Sequence, residues 1–495
     1  VVGAQLVEAR DRAVEVLCDP SLSHVVDLVA WPSYGGDVVV ANASGSAVLR
    51  AGGGVEILSG RNPVTSQDPL AFTPLAAELA DPSPANAENS YPWAYERLSS
   101  LFAAAAAPDV VVVHTGKHYW PEQGGHLGEH GSLGVVQSRA PLVLSGAGVV
   151  ARGVLPLAAR VVDVGPTLAW LAGAPPASLA DMDGSALVDL AVVGTAKHVV
   201  GLLWDGCNSN SLYAMAASGE LPNVARLLAS GCALSGGAIA EFPSVTLVNH
   251  TSALTGVGPG RHGIVNNAYF DRRSAVQVLT NNAATWHRWS EWLAPGVRTV
   301  FERVDGPTAS VNEPVDNGAS YSTFGLVRAG GSGDGAKSMM DDLLPDPAAD
   351  GLATQEHVAA NKDYAWSSSV DAIGLEQVLG LWPASSGPSG SSGSSGEWPR
   401  LMWWNTLLTD TGHHEGGPHS AIARDAMRDA DRRLGVFLDH LDRIGALSST
   451  AFLLTSDHGS EGADPSCVGD WDQPLRDAGI EFRDEAYGFI YLGHS

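Results

Sequence analysis

Residues 242–267 read FPSVTLVNHTSALTGVGPGRHGIVNN and open with Phe-Pro and two hydroxyl side chains, Ser244 and Thr246. A short apolar-periodic run to Leu254 follows, and a Gly/Pro break at 256–260 ends it. The pattern predicts a loop that delivers Thr246 to the first turn of a helix. Free N–H groups and the positive end of the helix dipole make such a position an anion site. A hydroxyl there can be a nucleophile facing a phosphate, and the plainer reading of the same residue is a helix N-cap. Three apolar runs elsewhere end in groups suited to binding a cation. HVVGLLW is followed by Asp205, LMWWNTLL by Asp410 and His414 four residues apart, and STAFLLTS by Asp457 and His458 side by side. Carboxylate and imidazole together are the donor set of zinc. Taken singly, a strand-end Asp is a common helix cap and a lone His a common core or surface residue. Three such clusters on one sheet edge, beside a helix-N-terminal Thr, are hard to obtain from capping alone.

The elements that must position these groups alternate. Strand candidates at 25–31, 37–41, 109–114, 139–149, 198–204 and 450–455 are separated by helix-like tracts at 6–17, 93–106, 161–176, 219–230 and 421–445. Alternation of this kind argues for an α/β fold with a mostly parallel central sheet flanked by helices. Ligands then collect at the carboxyl ends of the strands, where Asp205, Asp410 and Asp457 fall. The stretch LTDTGHHEGGPHS reads as a polar loop after its strand. Residues 268–385 are less regular and read as an inserted cap over the site. Residues 386–396 form a Gly/Ser link without core-forming capacity. The resulting division is 1–198, a core at 199–267, the cap, the link, and a second core piece at 397–495.

Composition bounds the partners. The chain has 495 residues and a formal charge of −26, which argues against a nucleic-acid polymer or an anionic membrane surface as its main partner. An acidic chain still binds phosphate where metal ions supply positive charge locally. No apolar run reaches the ~18 residues a membrane span needs. The amino terminus has no basic start and no cleavage-site pattern, and the absence of an initiator Met leaves a cytoplasmic protein and an exported one with its leader removed equally open. Four scattered cysteines, Cys18, Cys207, Cys232 and Cys467, predict isolated thiols and no disulfide framework. Nothing in the composition sets an oligomeric state.

Four motifs in order, VVGLLWDG, FPSVTLVNHTSALTGVGPGRHGIVNN, DTGHHEGGP and TSDHG, resemble the alkaline phosphatase superfamily, in its nucleotide pyrophosphatase/phosphodiesterase and phosphonoacetate hydrolase branch. The resemblance covers 199–267 and about 401–460. It implies Thr246 as nucleophile, Asn267 as the residue that holds the transferring phosphoryl group, and Asp205, Asp457 and His458 as ligands of the metal that also binds Thr246. Asp410 and His414 match two ligands of a second metal. The family's last ligand is a His in a Gly-His-Gly setting before a strand, and nothing after His458 fits. GEHGSLGVVQSRAPLVLSGAGV at 128–149 does, so the first 198 residues look like the family's carboxyl-terminal part placed in front, as in a circular permutation. His130 then completes the second site, with His126 its serious competitor and His114 and His118 nearby. Exchange between two chains, with His130 supplied in trans, is the less economical alternative.

What the resemblance implies chemically is a two-metal hydrolase of a small phosphoester, a phosphodiester or pyrophosphate, acting through a covalent phosphothreonine. Zinc fits best, and manganese also suits an Asp/His site. The alternatives are a phosphomonoesterase, a phosphonoacetate hydrolase, or a relative that binds metal without turnover. A sulfatase is excluded by the lack of a C/S-x-P-x-R motif. The formal GxGxxG at 258–263 follows a helix and contains Pro, so no dinucleotide site is inferred. Ser244 is the rival nucleophile, outside the T-x-x-N-H match. Asn249 and His250 read as structural supports of the nucleophile turn, Arg261 as a solvated turn residue and Cys207 as a buried bystander.

Overall fold

The computed structural model describes residues 2–81, 89–330, 344–384 and 397–493, and the Gly/Ser link at 386–396 lies outside these. Its centre is an eight-stranded sheet. The strands are β1 (Leu142–Gly146), β2 (Gly153–Leu155), β3 (His198–Trp204), β4 (Gly231–Leu234), β5 (Thr308–Val311), β6 (Tyr321–Ser322), β7 (Leu401–Thr406) and β8 (Thr450–Thr455), in spatial order β6-β5-β7-β3-β8-β1-β4-β2. Five of the seven pairings are parallel. Only β1 runs against both of its neighbours, β8 and β4. The apolar run of β3 is buried on both faces, as the central strand of such a sheet requires. Its Gly201 lies under the Trp403 ring, where a Cβ would come within 2.2 Å of the indole. Val199, Leu203, Leu247, Leu254 and Trp403 fill one side of the sheet. Val200, Leu202, Leu212, Phe437 and Leu438 fill the other.

Four helices place the site. They are α1 (Thr246–Thr255), α2 (Lys362–Leu381), α3 (Leu408–Gly416) and α4 (Ala421–Arg443). The stretch expected as a polar loop after β7 is therefore helical. DTGHHEGG carries no helical apolar stripe, and tertiary contacts hold it instead. The Asp371 carboxylate of α2 accepts the Leu407 N–H at 2.8 Å and the Leu408 N–H at 3.2 Å, and so caps α3 from a distance. Gly412 lets α3 approach α4, since a Cβ there would stand 2.6 Å from that of Ala426. Residues 268–385 do more than cover the site, because they supply β5, β6 and α2 to the central layers.

A second sheet lies outside the alternation. It is wholly antiparallel, in the order Phe482–Glu485, Phe489–Leu492, Val110–His114, Val26–Pro32, Val38–Asn42, Gly45–Leu49 and Val55–Gly60. It joins the two ends of the chain. Short strands Gly128–Glu129 and Glu461–Gly462 pair antiparallel and tie the 126–130 loop to the loop after β8.

Glu461 in that pair is buried, with one carboxylate oxygen receiving the Gln137 amide at 3.1 Å and the other without a hydrogen-bond partner among the described residues. Burial pushes its carboxyl up to about 8. The folded state therefore binds the proton more tightly than the unfolded one. The stability tied to this group is complete below the ordinary carboxyl value near 4.5 and is lost as pH rises through about 8. Glu461→Gln is expected to match the wild type near pH 4.5 and to exceed it at pH 9 by at most about 5 kcal/mol. Urea denaturation at the two pH values measures this, and a difference that does not change with pH contradicts it.

Candidate active site

The first turn of α1 carries Thr246 at its first helical position, with Val245 as the N-cap. The N-cap reading of Thr246 thus gives way to a side chain not occupied in capping. Asn249 fixes the turn. Its carbonyl accepts the Glu241 N–H at 2.7 Å, and its amide donates to the Val245 carbonyl at 2.9 Å and the Pro243 carbonyl at 3.2 Å. The Asn267 carbonyl oxygen accepts the Leu247 N–H at 3.2 Å, which places Asn267 beside the same turn. Ser244 is fully buried and engaged elsewhere: its hydroxyl donates to the Ser132 carbonyl at 2.8 Å and accepts the Gly131 N–H at 3.0 Å. It holds the loop that carries His130.

Asp205, Asp457 and His458 converge. His458 Nε2 stands 3.1 Å from Asp457 Oδ2 and 3.8 Å from Asp205 Oδ1. Asp457 Oδ1 is steadied by the Gly206 N–H at 3.0 Å and the Ser456 hydroxyl at 3.2 Å. The remaining atoms face one another without partners: Asp205 Oδ1, Asp457 Oδ2 and His458 Nε2 are all buried and make no hydrogen bond among the described residues. Two buried carboxylates in contact are costly unless a cation joins them. Burial, then Asp457 and Asp410, pushes the Asp205 carboxyl well above its ordinary range. These orphaned atoms fit a divalent ion.

Asp410 and His414 are one turn apart on α3, with Asp410 Oδ2 3.2 Å from His414 Nε2. His130 Nε2 lies 3.3 Å from the same His414 nitrogen, and the His130 ring stacks on His458 at 3.8 Å between centroids. His130 is held by the Ser244 carbonyl at Nδ1, 3.0 Å, and its own carbonyl lies 3.1 Å from His114 Nε2. Gly131 has φ of 104°, and a Cβ there would strike the Tyr487 ring, so the chain turns tightly behind His130. Between the two donor sets, Gly206 at φ 62° lets the backbone after Asp205 pass the Asp410 carboxylate, 2.2 Å from where its Cβ would stand.

Of the residues proposed from the sequence, Asp205, Asp457 and His458 form one group and Asp410, His414 and His130 another, Thr246 shares a cavity with Asp205 and Asp410, and Asn267 touches the same turn through the Leu247 N–H. His126 also reaches this region, with its ring 4.1 Å from that of His414. His118 packs instead against Trp120 and Trp471. Arg261 pairs with Asp183 at 2.6 Å, and Cys207 is wholly buried. A cavity of about 130 Å³ opens over Thr246, Asp205 and Asp410, walled by Trp286, Trp366 and Asn281 of the 268–385 stretch.

Sequence reading missed Glu313. It is fully buried, and its Oε2 lies 2.8 Å from His250 Nδ1 and accepts the Trp403 indole N–H at 3.0 Å. His250 Nε2 in turn faces Asp457 at 3.5 Å and Asp205 at 3.7 Å. Burial works to lower the His250 imidazole, and Glu313 overrides it and raises it well above its ordinary value. His250 is thus more than a support of the turn, since it links a buried carboxylate to two candidate metal ligands. No motif surrounds Glu313 that would have marked it.

The model of a family described as type I phosphodiesterase/nucleotide pyrophosphatase matches residues 199–495. The chain belongs to this family, within the alkaline phosphatase superfamily. Among solved structures, murine ectonucleotide pyrophosphatase/phosphodiesterase 5 is 16% identical, with 58% of this chain and 64% of that chain covered, at a TM-score of 0.39. Phosphonoacetate hydrolase from Sinorhizobium meliloti 1021, in complex with phosphonoformate, is 20% identical, with 53% and 57% covered and a TM-score of 0.34. Human ectonucleotide pyrophosphatase/phosphodiesterase 5 is 13% identical, with 53% and 57% covered and a TM-score of 0.32. This member of the phosphodiesterase family therefore spans less than two thirds of the length of each of these proteins. Among its described residues no helix is long and apolar enough to cross a membrane.

Proposed function

We propose that this chain is a metal-dependent phosphohydrolase that cleaves phosphodiester or pyrophosphate bonds of small molecules through a phosphothreonine at Thr246. The observation that carries the reading is the orphaned set of Asp205 Oδ1, Asp457 Oδ2 and His458 Nε2 beside the helix-N-terminal Thr246. In this reading Asp205, Asp457, His458 and the Thr246 hydroxyl hold one divalent ion, and Asp410, His414 and His130 hold the other, zinc in both. When bound, such ions supply charge stabilisation and make a hydroxyl nucleophilic at neutral pH.

The chain's own residues do the rest. Thr246 Oγ gives up its proton and forms a bond to phosphorus while the bond to the departing ester oxygen breaks, and that oxygen leaves with the electron pair and takes up a proton. The Asn267 amide and the free N–H groups of α1 face the phosphoryl oxygens that gain charge. Water then replaces Thr246 Oγ on phosphorus, and Thr246 recovers its proton. Trp286, Trp366 and Asn281 bound the space left for the rest of the substrate. The same reading takes residues 1–198 as the family's carboxyl-terminal part carried in front. The seat of β1 between β8 and β4 and the place of His130 beside His414 support it.

Hydrolysis of an aryl phosphodiester tests the proposal. Protein dialysed against a chelator is expected to be inactive and to regain its rate with added zinc. Full activity in metal-free protein, or none after zinc is restored, overturns it.

A further inference from the structure

The His414 imidazole stands between two sets of donors. On its inner side are Asp410 and His130, both within 3.3 Å. On its outer side are His126, whose ring lies 4.1 Å away, and Glu129. One donor atom from each of His126, Glu129 and His414 falls within 4.8 Å of the other two, a spacing that one ion spans with small side-chain movement. His414 Nδ1 is 2.8 Å from the Gly128 carbonyl, which leaves Nε2 as the nitrogen able to bind an ion. His126 Nδ1 faces Glu129 Oε1 at 3.5 Å. The Glu129 side chain is only 4% exposed, and an imidazole at 3.5 Å is too distant to be a full hydrogen-bond partner. A carboxylate so buried calls for a cation. His126, at 38% exposed, opens this set to solvent.

We propose that His126, Glu129 and His414 form an accessory site for a divalent ion of zinc's class, distinct from the two ions of the proposed catalytic pair. Because His414 offers one free nitrogen, an ion here competes with the inner ion for it. Filling the outer site leaves the inner ion with Asp410 and His130 alone and slows turnover. Excess zinc is therefore an inhibitor. The effect on turnover rests on the function proposed above, whereas the number of ions bound does not.

The test is a zinc titration of the metal-free full chain, followed by calorimetry and, in parallel, by hydrolysis of the aryl phosphodiester. Wild type is expected to bind two equivalents tightly and a third more weakly, with the rate falling as the third binds. His126→Ala removes the third phase, Glu129→Gln weakens it by more than about 100-fold, beyond the cost typical of an outer-shell partner, and both keep two tight equivalents and full activity at zinc concentrations that inhibit the wild type. A third phase that persists unchanged in both variants overturns the proposal. So does the loss of a tight equivalent in His126→Ala, which makes His126 a ligand of the catalytic pair. Should no ester be cleaved, the function proposed above fails, and the count of equivalents in the three proteins still decides this site.

Discussion

Thr246→Ala is expected to lower kcat on a phosphodiester by on the order of 10⁴–10⁶-fold, the range seen when a covalent nucleophile is removed and binding and electrostatic contributions remain. The fold gives no other reason for such a loss. Thr246 sits at the first position of α1 and Val245 is the cap, so alanine removes no cap. Alanine is also the better helix former, and the melting temperature should be nearly unchanged. Three donors, Asp205, Asp457 and His458, still surround the adjacent cation position. Steady-state kinetics beside a thermal melt and a metal count make the measurement. A variant that keeps more than about a hundredth of the activity places the nucleophile elsewhere.

His130→Ala carries the second large effect. Its ring lies against His414 at 3.3 Å and stacks on His458, so its loss opens the inner cation position and loosens both histidines. One of two tight zinc equivalents is expected to weaken by more than about 100-fold, beyond the cost typical of an outer-shell partner. Activity at stoichiometric zinc should fall with it and return in part at high zinc, because Asp410 and His414 remain. Unchanged zinc affinity with unchanged kcat contradicts the role given to His130.

Asp205, Asp457 and Thr246 stand out as candidates because each lies where a strong local pattern ends or begins, whereas Asn267 and His130 rest on the family resemblance alone. β3 and β8 are apolar runs of seven and six residues, too short for a buried helix, with Asp205 directly after the first and Asp457 after Ser456 at the end of the second. Thr246 precedes an unbroken helical run. The helical state of α3 was not legible, since a Gly- and His-rich stretch has no intrinsic reason to be helical. Asp371 and the packing of Gly412 on α4 supply the reason from 36 and 14 residues away. Glu313 was hidden for the same cause: its meaning lies in His250 and Trp403, which reach it only in the folded chain. The antiparallel sheet that joins residues 26–60 to 482–492 escaped notice because pairing between distant strands leaves no periodic trace in either.

Diffraction at the zinc absorption edge from crystals of the zinc-loaded chain addresses the central claim most directly. Two anomalous peaks are expected at stoichiometric zinc, one among Asp205, Thr246, Asp457 and His458 and the other among Asp410, His414 and His130. A second peak held by His126 in place of His130, or no peak beside Thr246, contradicts the account.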